Sequence, residues 1–303
     1  MTTNHPITAP VKKVNYLNNR DILKQIHESK NSYCSFSNKE YHRYDLIIDR
    51  PTESIETSLD YAFRPEQIQQ AKETRATRLS YELGEKILPE SISTTDLIFR
   101  VMTWDHIPVS IKQPRKTVVK KTAKDIFEFD DSELSDAFAD LEDPVTKDEV
   151  DDMVHVKVNF PPFQHFKLDE NNSFICVGKS HWKGELKTGE FSKDHGKLTD
   201  KLARMYIMLC EKYAMKFNWR GYTYNDEMRG AAILQLTYVG LRFNEAKSAN
   251  PFAYYTAAIT NSFCRVLNTE KRVQHIRDDI LEMNGLNPSW TRQGENSDKD
   301  YQG

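Results

Sequence analysis

Asn250-Pro-Phe-Ala-Tyr-Tyr-Thr-Ala-Ala-Ile-Thr-Asn-Ser-Phe-Cys-Arg-Val-Leu267 reads as a helix from its first residue. An asparagine can accept the open amide hydrogens of a first turn, and Pro251 follows at a position that needs no donor. Phe252, Tyr255, Ile259, Phe263 and Val266 recur at three- and four-residue spacing and define an inward stripe. The opposite face carries Tyr254, Asn261, Arg265, Asn268 and Arg272. Upstream, a helix starting at Thr223 or Asn225 has the stripe Met228, Ala232, Leu236, Val239 and Phe243. Before it, Thr199 is a natural cap and Asp200 suits the positive end of a helix dipole. Leu202, Met205, Tyr206, Leu209 and Tyr213 then share one face. A last short helix is expected to run to Asn284 and stop at Gly285. Three amphipathic helices with short connections can close one small core.

Leu198 to Ile280 holds twelve Lys/Arg against eight Asp/Glu, so this part is locally basic although the 303-residue chain has a net charge of −3. A row with a ring, amides and arginines suits nucleic acid. Arginines hold phosphates, while rings and amides stack or read bases. An ordinary solvated helix face would look much the same.

Outward from this region the chain changes character. Val154, Val156 and Val158 alternate with polar residues, Asp169 to Asn172 signals a turn, and Phe174-Ile-Cys-Val177 reads as a second strand. Phe160, Phe163, Phe166 and Trp182 look exposed in this small β-rich element. Asp125 to Asp152 carries thirteen acids and one lysine, directly after a basic run from Lys112 to Lys124. Like charges at that density favour an open chain. Ile126, Phe127 and Phe129 sit among the acids as in short acidic-hydrophobic docking peptides. Leu97-Ile-Phe-Arg-Val-Met-Thr-Trp-Asp-His-Ile-Pro108 has the apolar density of a segment that docks, on this chain or on a partner. Near the start, Ile22, Leu23 and Ile26 share a helix face. The expected organisation is an N-terminal arm and helix (1–30), a polar and charged insertion, largely extended or disordered (31–152), a β-rich element (153–197), a helical domain (198–285) and a tail (286–303). The fold class expected is mainly α.

Asp226-Glu-Met-Arg-Gly-Ala-Ala-Ile-Leu-Gln-Leu-Thr-Tyr-Val-Gly-Leu-Arg-Phe-Asn244 resembles the polymerase-binding helix of bacterial sigma factors, and the helix from Asn250 is similar to the one that contacts the promoter −10 element. Asn250-Pro-Phe-Ala-Tyr254, Phe217-Asn-Trp-Arg-Gly-Tyr-Thr223 and Val14-Asn-Tyr-Leu-Asn-Asn-Arg-Asp-Ile-Leu23 resemble the late-transcription sigma factors of T-even-type phages. The resemblance brackets the chain, at about Val11–Ile26 and Leu198–Ile280. The enlarged middle, with Phe99–Pro108 and Gly178-Lys-Ser-His-Trp182, looks like that of cyanophage-type relatives.

The resemblance implies a sigma-region-2-like helical bundle and no catalytic role. It implies binding to the largest-subunit coiled coil of host core RNA polymerase through Asp226, Glu227, Arg229, Gln235 and Phe243. It implies promoter DNA held by Tyr254, Tyr255, Asn261, Arg265, Asn268, Lys271 and Arg272. It also implies a sliding-clamp contact, which Ile126, Phe127 and Phe129 can supply here, because the tail from Asn287 does not match the family's terminal clamp peptide. The site of action expected is the cytoplasm of the infected bacterial host. The paired tryptophans usual in bacterial factors align with Ala258 and Ile259, so strand opening by those rings is not expected.

Other chemistry finds less support. Cys34, Cys176, Cys210 and Cys264 form no CxxC pair. The N-terminus lacks the features of a signal peptide, and no apolar run nears the ~18 residues of a membrane span. A soluble intracellular protein without cofactor is expected. His155, His165, Cys176, His181, His195 and Cys210 lack zinc-ligand spacing. Gly178-Lys-Ser180 lacks the upstream glycine of a phosphate loop. The adjacent Asp278 and Asp279 point apart on a helix. A sequence-indifferent nucleic-acid-binding protein of phage replication or packaging is the alternative reading, and a metal-dependent enzyme a third.

Overall fold

The computed structural model describes residues 17–111, 153–169 and 173–294. Of the described residues, those up to His106, together with those from Val158, form one compact unit, and those between Ile107 and Lys157 form a second. The protein is mainly helical with a small mixed sheet. Among the described residues no helix is long and apolar enough to cross a membrane.

In the larger unit, helix α1 (Asn19–Asn31) is followed by strands β1 (Cys34–Phe36) and β2 (Leu46–Ile48), helices α2 (Ile55–Ala62) and α3 (Pro65–Leu83), and strand β3 (Ile98–Met102). The smaller unit pairs β4 (Val109–Ile111) antiparallel with β5 (Met153–His155). The larger unit resumes with β6 (Phe163–Leu168), β7 (Phe174–Ser180), β8 (Trp182–Lys183) and β9 (Glu190–Phe191). It closes with α4 (Asp200–Ala214), α5 (Asn225–Val239) and α6 (Pro251–Met283).

Residues 31–111 are therefore not an extended insertion, and 153–197 is not a separate element. Strands from both stretches make one five-stranded sheet in the order β1-β7-β6-β3-β2. The pairs are antiparallel except β2 with β3. The β3 part of the Leu97–Pro108 motif packs within the larger unit, since all five residues of β3 are buried. Phe99 and Val101 share a core with Leu59 and Ala62 of α2, Ala71 and Ala76 of α3, and Phe166 and Leu168 of β6. By strand alternation Arg100 faces the other side. Phe160, Phe163 and Phe166, expected at the surface, are buried because both faces of the sheet are covered. The sparse apolar stripe of α3 hid its role. Its Arg75 and Arg78 converge on the buried carboxylate of Asp45, which also accepts the Ile98 amide. Charge pairing thus supplements a seam built on two alanines.

Helix α1 joins the two halves. The Ser29 hydroxyl meets Thr199, the N-cap of α4, and the Gln25 side-chain oxygen accepts from the Thr199 hydroxyl. The side-chain oxygen of Asn19 accepts the Phe252 amide at the start of α6. Lys30 is buried, with its ammonium 2.7 Å from the Phe243 carbonyl and 2.8 and 2.9 Å from the two oxygens of Glu245. Beside it lies Arg100, only 1% exposed. Its guanidinium is held between the Tyr44 and Phe163 rings at 3.9 and 3.8 Å. Its Nε donates to Nε2 of His165, whose Nδ1 donates to the Tyr41 carbonyl, so that ring is neutral. Among the described residues, neither terminal nitrogen of Arg100 has a hydrogen-bond partner. Burial alone would raise the Glu245 carboxyl, but attraction by Lys30, Arg100 and His27 outweighs it and takes it down to about 2.

Four histidines make stability pH-dependent. Burial pushes His27 and His106 down to about 4, His181 to about 3, and His165 well below its usual range. Below about pH 6.5 the unfolded chain binds protons that the folded chain refuses. Stability is then complete above that pH and is lost as the pH falls toward about 4. The denaturation midpoint should be lower at about pH 5 than at about pH 7.5. At about pH 5 the buried ring of His181 should account for a loss of up to about 2 kcal/mol. A flat profile over this range would contradict the assignment.

Candidate functional site on the helical unit

Helices α4, α5 and α6 form as the spacing predicts. Thr199 caps α4 through the Leu202 amide, and Asn250 caps α6 through the Ala253 amide. The buried stripes are Leu202, Met205, Tyr206 and Leu209, then Met228, Ala232, Leu236 and Val239, then Tyr255, Ile259 and Phe263. One expectation changes. The last short helix is instead the end of a 33-residue α6, because neither Gly nor Pro interrupts residues 252–284. Gly285, at φ 67°, ends the rod.

The α6 row is partly as expected. Asn261, Asn268, Lys271 and Arg272 are exposed. Asn261, Cys264, Arg265, Asn268, Thr269 and Arg272 line a shallow recess. Arg265 is half-buried and donates to the Gln235 side chain at 3.1 Å, which positions its guanidinium over the α5–α6 seam. Burial lowers its pKa. Tyr255 is not a DNA contact: it is fully buried, and its hydroxyl donates to the Gly240 carbonyl and lies 3.2 Å from the Tyr206 hydroxyl. Its neighbour Tyr254 is half-buried against Phe243, with its hydroxyl donating to the Val239 carbonyl. Burial raises the pKa of both phenols. These rings stabilise the α5–α6 turn rather than face solvent. Ala258 and Ile259 are buried too, so their face opens on the core.

The α5 set divides similarly. Asp226 is 82% exposed at its side chain and pairs with Arg229 at 3.0 Å, and Glu227 is exposed. Gln235 and Phe243 are buried and cannot touch a partner directly. What the periodicity missed lies beside them. Leu234 is 57% and Tyr238 59% exposed, one turn apart. With Glu227 and Gly230 they make a continuous strip along the helix. The missed signal is that α5 is apolar on more than one side, which a helix packed on one face does not require.

Ile126, Phe127 and Phe129 lie outside the described residues. Of the histidines and cysteines weighed for metal, His165 and His181 are sealed in the sheet region and Cys210 in α4. Among the described residues no three His, Cys, Asp or Glu side chains group as a metal site. Asp278 is taken up by Ser289, while Asp279 pairs with Arg292. No family model matches the chain, and no curated protein or solved structure gives a match.

Proposed function

We propose that this chain is a sigma-type promoter-specificity factor, which binds host core RNA polymerase and directs it to late promoters through a −10-like element. The observation that carries the reading is the pair of distinct surfaces on one three-helix unit. The α5 strip offers Asp226, Glu227, Leu234 and Tyr238, an acidic-apolar face suited to another helix. The α6 row offers Asn261, Asn268, Lys271 and Arg272 beside the positioned Arg265, a face suited to a DNA strand. A nucleic-acid-binding protein of replication or packaging needs only the second. The buried pair Gln235 and Phe243 acts through shape: Phe243 backs Tyr254, and Gln235 aims Arg265. The acidic-hydrophobic Asp125–Asp130 segment is the proposed contact for the phage sliding clamp.

The test is co-elution of the full chain with host core polymerase, followed by run-off transcription with and without the clamp. Lys271→Ala with Arg272→Ala should lower specific initiation about tenfold or more, through two lost phosphate contacts, and leave co-elution unchanged. Changing Ile126, Phe127 and Phe129 to Ala should remove only the clamp's stimulation. Failure of the chain to associate with core polymerase, together with salt-sensitive binding to any single strand, would favour the replication or packaging reading.

A further inference from the structure

The α4–α5 loop, residues 215–224, carries a cluster of rings and cations that the proposed promoter and polymerase faces do not use. Phe217 is 81% and Met215 73% exposed at its tip. Behind them Tyr213, Trp219, Tyr222 and Tyr224 follow one another with ring centres 6.3, 6.2 and 5.2 Å apart. Cations alternate with the rings: the Lys216 ammonium lies 4.1 Å from the centre of the Tyr213 ring, and the Arg220 guanidinium 5.1 Å from that of Phe217. Residues 212–225 hold three basic side chains and no acid.

The loop is preorganised. The Asn225 side-chain amide donates to the carbonyls of Trp219, at 2.8 Å, and Ala214, at 3.2 Å, so it clasps both ends of the turn. The Trp219 and Arg220 amides donate to the Lys216 carbonyl. Trp219 is also anchored edge-on against Phe263 of α6, 5.3 Å between centres. The Tyr213 hydroxyl lies 2.6 Å from that of Thr260, the neighbour of Asn261 in the α6 row. The loop therefore borders the proposed DNA face on the far side of α6 from Gln235.

We infer that this loop is a stacking platform for unpaired nucleic-acid bases, a second contact for the strand that α6 holds. Exposed rings meet the π-face of any base, and Lys216 and Arg220 hold the phosphates on either side, so the contact tolerates sequence. The absence of acids between Lys212 and Asn225 favours a polyanion over a protein partner with an ordinary mixed surface. The inference rests on the nucleic-acid part of the proposed function and does not require the polymerase part.

The experiment measures fluorescence anisotropy of a twelve-nucleotide oligothymidine, and of an abasic strand of equal length, against the full-length chain. The proteins are wild type, Phe217→Ala, Arg220→Ala and Arg272→Ala. The wild type should prefer the strand with bases. Phe217→Ala should weaken that binding by about tenfold, the effect of losing one stacked base, and leave abasic binding unchanged. Arg220→Ala should weaken both strands. Phe217 is at the surface, so its melting temperature should match the wild type and exclude misfolding. Equal affinity of Phe217→Ala and wild type for the strand with bases would overturn the inference, and the rings would then serve a protein contact. Absence of wild-type binding to either strand would also overturn it. Loss of binding in Arg272→Ala with none in Phe217→Ala leaves the α6 reading standing and removes the loop. Co-elution with polymerase, measured separately, bears only on the proposed function.

Discussion

Glu245→Ala should lower the unfolding free energy by about 3–5 kcal/mol, read as a shifted urea midpoint with an unchanged transition slope. Glu245 is the carboxylate that holds both oxygens against Lys30. Among the described residues, removing it leaves the buried ammonium with only the Phe243 carbonyl as hydrogen-bond acceptor, beside an Arg100 with two unbonded nitrogens. The uncompensated charge, not the lost contact, sets the size of the effect. Two companion results follow. Lys30→Met combined with Glu245→Leu should recover most of the loss, because both desolvation terms disappear together. In the wild type the contribution of the Glu245 carboxylate should be constant between about pH 5 and 8. Glu245, held at about 2, remains charged throughout that range, and its stabilisation is lost only as the pH falls from about 4.5 toward 2. A loss under about 1 kcal/mol would mean that the pair is solvated.

This network also accounts for an oddity of the sequence. The two ends that resemble one family, about Val11–Ile26 and Leu198–Ile280, are separated by some 170 residues. In space the helix that holds the described part of the first, α1, packs on the second through Asn19, Gln25, Ser29 and Lys30. Helix α1 is thus the fourth member of the bundle, and the enlarged middle builds a sheet on its other side. The face expected from Ile22 and Ile26 is buried, but the polar contacts of these four residues follow no hydrophobic pattern.

What the sequence makes legible is local. Caps at Thr199 and Asn250 and the three stripes depend on neighbours three or four residues away, and they form where expected, except that Phe252 of the α6 stripe is exposed. Of the five-stranded sheet, β7 is legible at Phe174–Val177, but the pairing is not. Cys34–Phe36 and Leu46–Ile48 are three residues each, and their partners lie far off in sequence, with β7 joining β1 and β3 joining β2. Polar composition from residue 31 onward suggests an open chain because Asp45 and Arg100 count as solvated residues, whereas each is buried. The α6 row divides for a related reason. Spacing separates Arg272 from the core, yet it cannot tell that Tyr254 reaches back to the Val239 carbonyl. The exposed strip of α5 stayed hidden because Leu234 and Tyr238 read as ordinary apolar content until burial showed which side of the helix was already filled.

That strip carries the largest functional prediction. Leu234→Asp together with Tyr238→Ala should weaken association with core polymerase by about 100-fold or more. A buried tyrosine anchor in an interface contributes about 2 kcal/mol or more, and a carboxylate placed in an apolar contact adds an unpaired charge. Both side chains are more than half exposed, so the helical unit should keep its melting temperature. Binding to a free oligonucleotide should stay at the wild-type level, since neither residue lines the α6 recess or the α4–α5 loop. Asp226→Asn should cost far less, because its pair with Arg229 is a surface pair one turn apart. The contrast separates two sources of affinity: an apolar helix-to-helix contact loses its binding with the double variant at any salt, while an electrostatic contact loses it with Asp226 and with rising salt. If the double variant still co-elutes with polymerase, α5 is not the docking helix, and the proposed sigma-type function loses the observation on which it stands.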